Sequence, residues 1–234
     1  MALPVIDTPK YSAVIPSTGE KVAYRPYLVK EEKILMIALE SENQEQIMNA
    51  VKDIITACTF NKIKVDTLAT FDLEYLFMKL RAKSVGETST IGLKCEQCET
   101  SNEVEIPVDS IEVTMPPKGS NVIMITDKVG ITFRYPSVKD AEKISGSKEN
   151  VETIMKTVVM CIDNIFDDDK VYPAKDSTPK ELEAFIDTLN SEQFKKIQVF
   201  FEEMPAMKYV AKFDCEHCSH HNELELRGMA NFFG

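Results

Sequence analysis

The sequence carries one short pattern twice: Lys94-Cys95-Glu96-Gln97-Cys98 precedes Asn102-Glu103-Val104-Glu105-Ile106, and Asp214-Cys215-Glu216-His217-Cys218 precedes Asn222-Glu223-Leu224-Glu225-Leu226. Apolar and polar residues alternate on either side of each Cys-x-x-Cys motif, and this alternation is typical of half-buried strands. We call the two motifs the first and the second knuckle. Each is predicted to lie in the turn between two strands.

The two knuckles together predict a metal site. A Cys-x-x-Cys turn places two thiols on one side of a tight bend, and four thiolates complete a tetrahedral zinc site. We therefore predict one structural zinc ion, with four ligands: Cys95, Cys98, Cys215 and Cys218. Four protein ligands leave no position for water, which argues against a catalytic metal.

Other interpretations of the cysteines remain open at this stage. A different metal, or thiols without a metal, would also be compatible with the spacing. Three histidines, His217, His220 and His221, crowd the second knuckle, and one of them could replace a cysteine. The first knuckle has no histidine, which favours exposed or supporting roles for all three.

The cysteine count argues against a disulfide framework. The chain has 234 residues, six cysteines and no apolar signal segment at its start, unlike a small secreted domain. A redox motif would open a helix, whereas both knuckles lie between predicted strands. The two remaining cysteines, Cys58 and Cys161, fall within amphipathic helical patterns and are predicted to be small buried apolar residues.

Composition excludes several classes of function. The formal net charge of −11 argues against a nucleic-acid-binding surface, which needs clustered lysine and arginine. No apolar run approaches the ~20 residues needed to span a bilayer. With 44% hydrophobic residues the chain is predicted to be globular and soluble, made in a reducing compartment.

The order of elements predicts an α+β fold with a tandem duplication. Hairpin, helices and knuckle occur once in residues 1–114 and again in residues 115–234, with a linker by composition at 115–119. The first half contains a hairpin (12–15 with 21–25) and three helices (30–39, 47–58 and 71–83); the second contains a hairpin at 122–126 with 131–134. Two copies sharing one zinc-ribbon-like site predict a pseudo-twofold, cooperative object.

The second half carries its own features. A helix is predicted to hold Ile154, Cys161, Ile162 and Ile165, because these apolar residues recur at helical spacing. An acidic run at 167–169 lacks the spacing of a calcium loop and is predicted to be a solvated loop. A further helix is predicted from Thr178-Pro179, with Thr178 as N-cap.

No catalytic motif emerges from the sequence. Phosphate-binding loops, dinucleotide fingerprints, nucleophile elbows and zinc-protease motifs are all absent, and the three histidines lie within five residues of one another. Arg25 and Arg134 follow the two predicted hairpins at matched places. They are either partner contacts or ion pairs that fix the fold.

Several strings resemble the T4-like phage baseplate hub subunit family. They are Pro16-Ser17-Thr18-Gly19-Glu20-Lys21, the run from Arg25 to Lys33, Phe71-Asp72-Leu73-Glu74-Tyr75, and Leu80-Arg81-Ala82-Lys83-Ser84-Val85-Gly86-Glu87. The similarity covers essentially the whole chain. It implies a structural component of the baseplate of a contractile-tailed bacteriophage, built in the host cytoplasm and carried in the virion.

The resemblance implies that the partners are proteins, and it supplies no catalytic residues. The expected partners are other baseplate hub or wedge proteins, with no nucleic acid, no small-molecule substrate, no catalytic residue and no cofactor other than structural zinc. The alternative is an assembly factor or chaperone that uses zinc only for folding and leaves before the particle is finished.

Overall fold

The computed structural model describes residues 6–144 and 150–228. It is an α+β protein, as predicted. The chain divides into two compact units, one formed by residues 1–114 with 206–234 and the other by 115–205. The first change of unit coincides with the predicted boundary at 114, but residues 206–234 belong to the first compact unit and not to the second. The tandem duplication and its two halves stay a prediction.

The first unit opens with the predicted hairpin and three helices. Their bounds are β1 Tyr11–Val14, β2 Lys21–Tyr24, α1 Val29–Glu40, α2 Gln44–Cys58 and α3 Thr70–Ser84. Gly19 closes the hairpin turn with a φ of 72° and donates its N–H to the Ile15 carbonyl at 2.8 Å. Between α1 and α2, Glu42 has a φ of 51°, and the Asn43 side chain caps α2.

The core of the first unit lies between α2 and α3. Val51, Ile54 and Ile55 of α2 are fully buried, as the predicted apolar stripe requires. On α3 the matching stripe contains Leu73 and Leu76, each at most 2% exposed. The buried faces of the two helices therefore make up this core.

Two further hairpins complete the first unit and carry the knuckles. The first joins β3 Ser89–Lys94 to β4 Ser101–Ile106, and the second joins β9 Lys208–Asp214 to β10 His221–Arg227. Both pairs are antiparallel, so the predicted strand, knuckle and strand order is confirmed twice.

The second unit is built on a four-stranded antiparallel sheet in the order β5-β6-β7-β8. The strands are β5 Val122–Met124, β6 Gly130–Phe133, β7 Ile162–Phe166 and β8 Val171–Pro173; the helices are α4 Val138–Ile144, α5 Val151–Cys161, α6 Pro179–Asp187 and α7 Ser191–Glu202. In its core the Phe133 ring lies 5.3 Å from Phe200 and 5.7 Å from Phe201.

The predicted helix through Ile165 is wrong. Helix α5 ends at Cys161, and Ile162 begins strand β7. Ile162 and Ile165 are three residues apart, a spacing that fits a helix, but they pair with Phe133 and Ile131 of strand β6. Long-range pairing with a buried strand outweighs local periodicity here.

Two local predictions for the second unit are confirmed. The side chain of Thr178 caps α6 at the backbone N–H of Glu181, and Pro179 is the first helical residue. The acidic run forms the turn between β7 and β8, where Asp167 accepts the backbone N–H groups of Asp169 and Lys170 at 2.9 and 2.8 Å.

Candidate metal centre

The structure brings the four knuckle cysteines together within the first unit. All four sulfur atoms lie within 4.8 Å of one another. Cys95 Sγ lies 3.6 Å from Cys218 Sγ, and Cys98 Sγ lies 3.5 Å from Cys215 Sγ. The first cysteine of each knuckle therefore lies beside the second cysteine of the other knuckle.

These separations fit a tetrahedral metal site and exclude disulfides. Sulfur ligands about 2.3 Å from a tetrahedral ion are about 3.8 Å apart, close to the separations of 3.6 and 3.5 Å. A disulfide needs about 2.05 Å between sulfurs. All six cysteines are free thiols.

Matched backbone turns shape the two knuckles. In the first, the Cys95 N–H donates to the Thr100 carbonyl at 2.9 Å, and in the second the Cys215 N–H donates to the His220 carbonyl at 2.9 Å. Glu99 and Ser219 hold φ angles of 58° and 57°, a left-handed conformation that closes each turn. Each turn thus places its two sulfurs on one side of its own bend.

Two buried asparagines join each knuckle to the other. Asn222 Oδ1 accepts the Glu96 N–H at 2.9 Å, and Asn102 Oδ1 accepts the Glu216 N–H at 2.9 Å. Each Nδ2 donates within its own knuckle, from Asn222 to His220 and from Asn102 to Thr100. Both side-chain amides are thereby satisfied, as buried polar groups require.

Sequence reasoning gave these asparagines no role, although a signal was present. Each stands four residues after the second cysteine of its knuckle. A polar residue at the same offset in two strands, on the face that is buried, indicates a repeated hydrogen bond.

Hydrogen bonds, burial and neighbouring thiols shift the pKa values of three of the clustered cysteines in different directions. The Cys218 backbone N–H lowers the pKa of the Cys215 thiol to about 6, although burial opposes it. Burial raises the pKa of Cys95, but N–H groups of Cys98 and Gln97 outweigh it and lower that pKa. The His220 N–H lowers the pKa of Cys218, yet burial and the neighbouring thiols raise it to about 12. Four adjacent sulfurs cannot all ionise without a compensating positive charge.

The sequence of this chain matches the profile of a known protein family. A family profile described as T4 bacteriophage base plate protein matches residues 8–234, which include both knuckles. The chain belongs to the T4 bacteriophage base plate protein family. Comparison with curated proteins and with solved structures gave no match.

In this baseplate-family chain the histidines lie outside the sulfur cluster. The cluster of potential metal ligands found among the described residues consists of the four cysteines alone. His217 and His221 are exposed, and His221 Nδ1 lies 2.8 Å from Asp214 Oδ1. His220 contributes its backbone to the second knuckle.

The two matched arginines of the baseplate-family chain form internal ion pairs. Arg25 Nη2 lies 2.9 Å from Glu31 Oε1, and Arg134 Nη1 lies 2.6 Å from Asp140 Oδ2. Both carboxylates are buried, with 5% and 6% of their side chains exposed. Each arginine also donates its backbone N–H to the carbonyl of a buried cysteine, Cys58 or Cys161. The two cysteines are buried, as predicted.

No helix in residues 6–144 or 150–228 combines the length and apolar character that crossing a bilayer requires.

Proposed function

We propose that this chain is a structural subunit of the baseplate hub region of a contractile-tailed bacteriophage. It acts through contacts with neighbouring hub or wedge proteins in tail assembly and infection. It is assembled in the host cytoplasm and retained in the tail baseplate of the virion. The observation that carries this proposal is the family match over residues 8–234.

We infer that the sulfur cluster holds one zinc ion with a structural role. Cys95, Cys98, Cys215 and Cys218 would be its ligands, and the separations of 3.5 and 3.6 Å support tetrahedral coordination. When bound, the ion supplies a cross-link between two hairpins and compensates the charge of the thiolates. The chain itself orients the sulfurs through its knuckle turns and the two buried asparagines.

The proposed role involves no catalysis. A centre with four protein sulfur ligands has no position open to water or substrate, and such closed sites are structural in known zinc proteins. The sequence also lacks the motifs of common catalytic sites.

Purified phage particles test the subunit role directly. A structural subunit is retained at fixed stoichiometry with the hub proteins, and a reconstruction of the assembled tail will show its copy number and neighbours. An assembly factor would instead be present in baseplate precursors and absent from finished particles, and that result would replace the proposal.

Metal analysis tests the zinc site separately. Protein purified without added zinc should contain about one zinc per chain, as one closed four-thiolate site requires. A value near zero in folded protein contradicts the site. A value near two would mean that each knuckle recruits its own additional ligands.

A further inference from the structure

A cleft in the first unit concentrates positive charge in an otherwise acidic protein. It encloses about 720 Å³ between hairpin β1–β2 and helix α3. Its lining includes four lysines and three tyrosines, and we call it the lysine–tyrosine cleft: Lys10, Tyr11, Lys21, Tyr24, Tyr75, Lys79 and Lys83. The last three recur every four residues and so share one face of α3.

Positive charge in the cleft exceeds the negative charge available to neutralise it. Among the lining residues Asp109 is the single carboxylate. Lys83 Nζ lies 3.1 Å from Asp109 and 2.5 Å from Glu87 at the margin, and Lys79 donates to the Asp109 carbonyl. Within the part of the chain that the structure describes, Lys10 and Lys21 have no carboxylate partner. This excess stands out in a chain with a net charge of −11.

A buried tyrosine lines the same cleft with an unused hydroxyl. Tyr24 is 3% exposed, and its hydroxyl has no hydrogen-bond partner among the described residues. Among the described residues the buried side-chain polar atom without a partner is Arg81 Nη1, so the Tyr24 hydroxyl is open to the cleft although the ring is buried. An acceptor on a bound molecule could therefore take the place of water at this hydroxyl.

The edge of a strand also lines the cleft. Residues 10–14, which include β1, form one of its walls. Strand β1 pairs with β2 in a two-stranded sheet and has no second strand neighbour in the described residues. Such an edge can accept an added strand from another chain, with side-chain contacts setting specificity.

We propose that the lysine–tyrosine cleft docks an extended, carboxylate-rich segment of another protein of the baseplate, beside strand β1. The inference deepens the proposed function and rests on it. Carboxylates would pair with Lys10 and Lys21 and accept from the Tyr24 hydroxyl. The ring of Tyr11, which also lines the cleft and is 37% exposed, would cover the apolar part of the segment. The observations favour an extended protein segment over a nucleic acid, because the free edge of β1 offers backbone hydrogen bonds that an added strand can make.

A model peptide tests the chemistry with the full chain loaded with zinc. The probe is a fluorescein-labelled ten-residue peptide of alternating glutamate and threonine, compared with its glutamine counterpart by fluorescence anisotropy. We expect the acidic probe to bind selectively and to weaken with added salt, because its contacts are ionic. Absence of selective binding up to millimolar protein overturns the proposal.

Paired lysine variants separate the cleft from overall charge. The double variant Lys10→Gln with Lys21→Gln should weaken binding roughly fivefold to tenfold, the range for two partly exposed charge contacts. The control is Lys33→Gln with Lys118→Gln, which changes the net charge equally at exposed lysines outside the cleft. Equal losses from both double variants would mean non-specific attraction and would refute docking in the cleft.

The Tyr24→Phe variant tests the hydroxyl without changing the packing. We expect binding to weaken about threefold, in the range of one hydrogen bond, while the thermal midpoint of the free protein does not fall. Unchanged binding by this variant removes the hydroxyl from the proposal and contradicts the geometry given for it.

Two competing occupants have their own signatures. Stronger, lysine-dependent binding of a single-stranded DNA oligonucleotide would replace an acidic protein segment as ligand. Self-association of the chain that is lost in the Lys10 and Lys21 double variant would identify a second copy as the occupant. Either result overturns the cleft proposal, whereas retention of the protein in particles would still support the structural role.

Discussion

At the scale of single residues, Asn102 and Asn222 connect the two knuckles through their side-chain amides. Replacing either by alanine leaves a backbone N–H of the opposite knuckle without its acceptor. We expect each variant to lose about 1–3 kcal/mol in free energy of unfolding, the cost of an unpaired buried polar group. Urea denaturation of the zinc-loaded protein measures this loss.

The neighbouring Glu103→Ala variant serves as the control. Glu103 is exposed on β4 beside Asn102, so its replacement should stay within about 0.5 kcal/mol of the parent. If Asn102→Ala is as stable as Glu103→Ala, the hydrogen bond to Glu216 contributes nothing to the site.

The buried carboxylate of Asp140 predicts a dependence of stability on pH. Burial raises its pKa, but hydrogen bonds from Arg134 and Ser137 outweigh burial and hold the pKa far below its ordinary value. The folded state thus binds this proton less readily than the unfolded chain. Its stabilisation is complete above the unfolded pKa of about 4 and is lost as pH falls through the folded pKa.

Asp140→Asn should therefore be less stable than the parent at pH 7, by about 2 kcal/mol for the lost charged hydrogen bonds. The difference should shrink in acid, as urea denaturation at several values between about pH 7 and pH 3 will show. Asp168→Asn, at an exposed turn residue, is the control and should follow the parent throughout. A constant difference at every pH would contradict the ion pair as its cause.

At the scale of elements, the start of helix α6 depends on a reciprocal pair of hydrogen bonds. Thr178 Oγ1 accepts the Glu181 N–H at 3.3 Å, and the Glu181 carboxylate accepts the Thr178 N–H at 2.7 Å. Thr178→Ala should cost about 1 kcal/mol in free energy of unfolding, measured by urea denaturation. Thr178→Ser retains the hydroxyl and should cost much less; equal losses would assign the effect to the methyl group.

The elements also show what sequence could and could not predict. The α6 cap was predictable because its signal lies within four residues, and each knuckle hairpin because alternation and cysteine spacing are local. Strand β7 was not, since the partner that makes Ile162 extended is Phe133 on a distant strand. The lysine–tyrosine cleft escaped for the same reason: hairpin and helix contribute lysines that only the tertiary fold brings together.

At the scale of the whole molecule, one site shared by the four cysteines predicts that both knuckles contribute equally to the stability of the fold. Cys95→Ser and Cys215→Ser should be about equally destabilising, because either leaves three thiolates. The loss should be of the order of 4 kcal/mol, by analogy with a covalent link closing a loop of ~100 residues. Thermal melts with and without chelator measure it, and Cys58→Ala, a buried residue outside the cluster, should cost only about 1 kcal/mol.

The same melts can contradict the shared site. A Cys95→Ser protein that melts like the parent, beside a Cys215→Ser protein that unfolds, would mean that the knuckles bind no common metal. Pairing of the two motifs was predictable because each alone offers only two ligands. The division into compact units was not, since repeat order in the sequence says nothing about which segments fold together.

The positions of the two knuckles in the chain determine when the sulfur cluster can form during synthesis. Cys98 and Cys215 are 117 positions apart, and every residue of the second unit lies between them. At ribosomal rates of ~5–20 residues per second, the second knuckle is synthesised roughly 6–23 s after the first. During that interval the nascent chain offers a two-thiol site, too few ligands for tight capture of zinc. On the proposed zinc site, metal capture is therefore a late event, because all residues of the second unit are synthesised before the second knuckle.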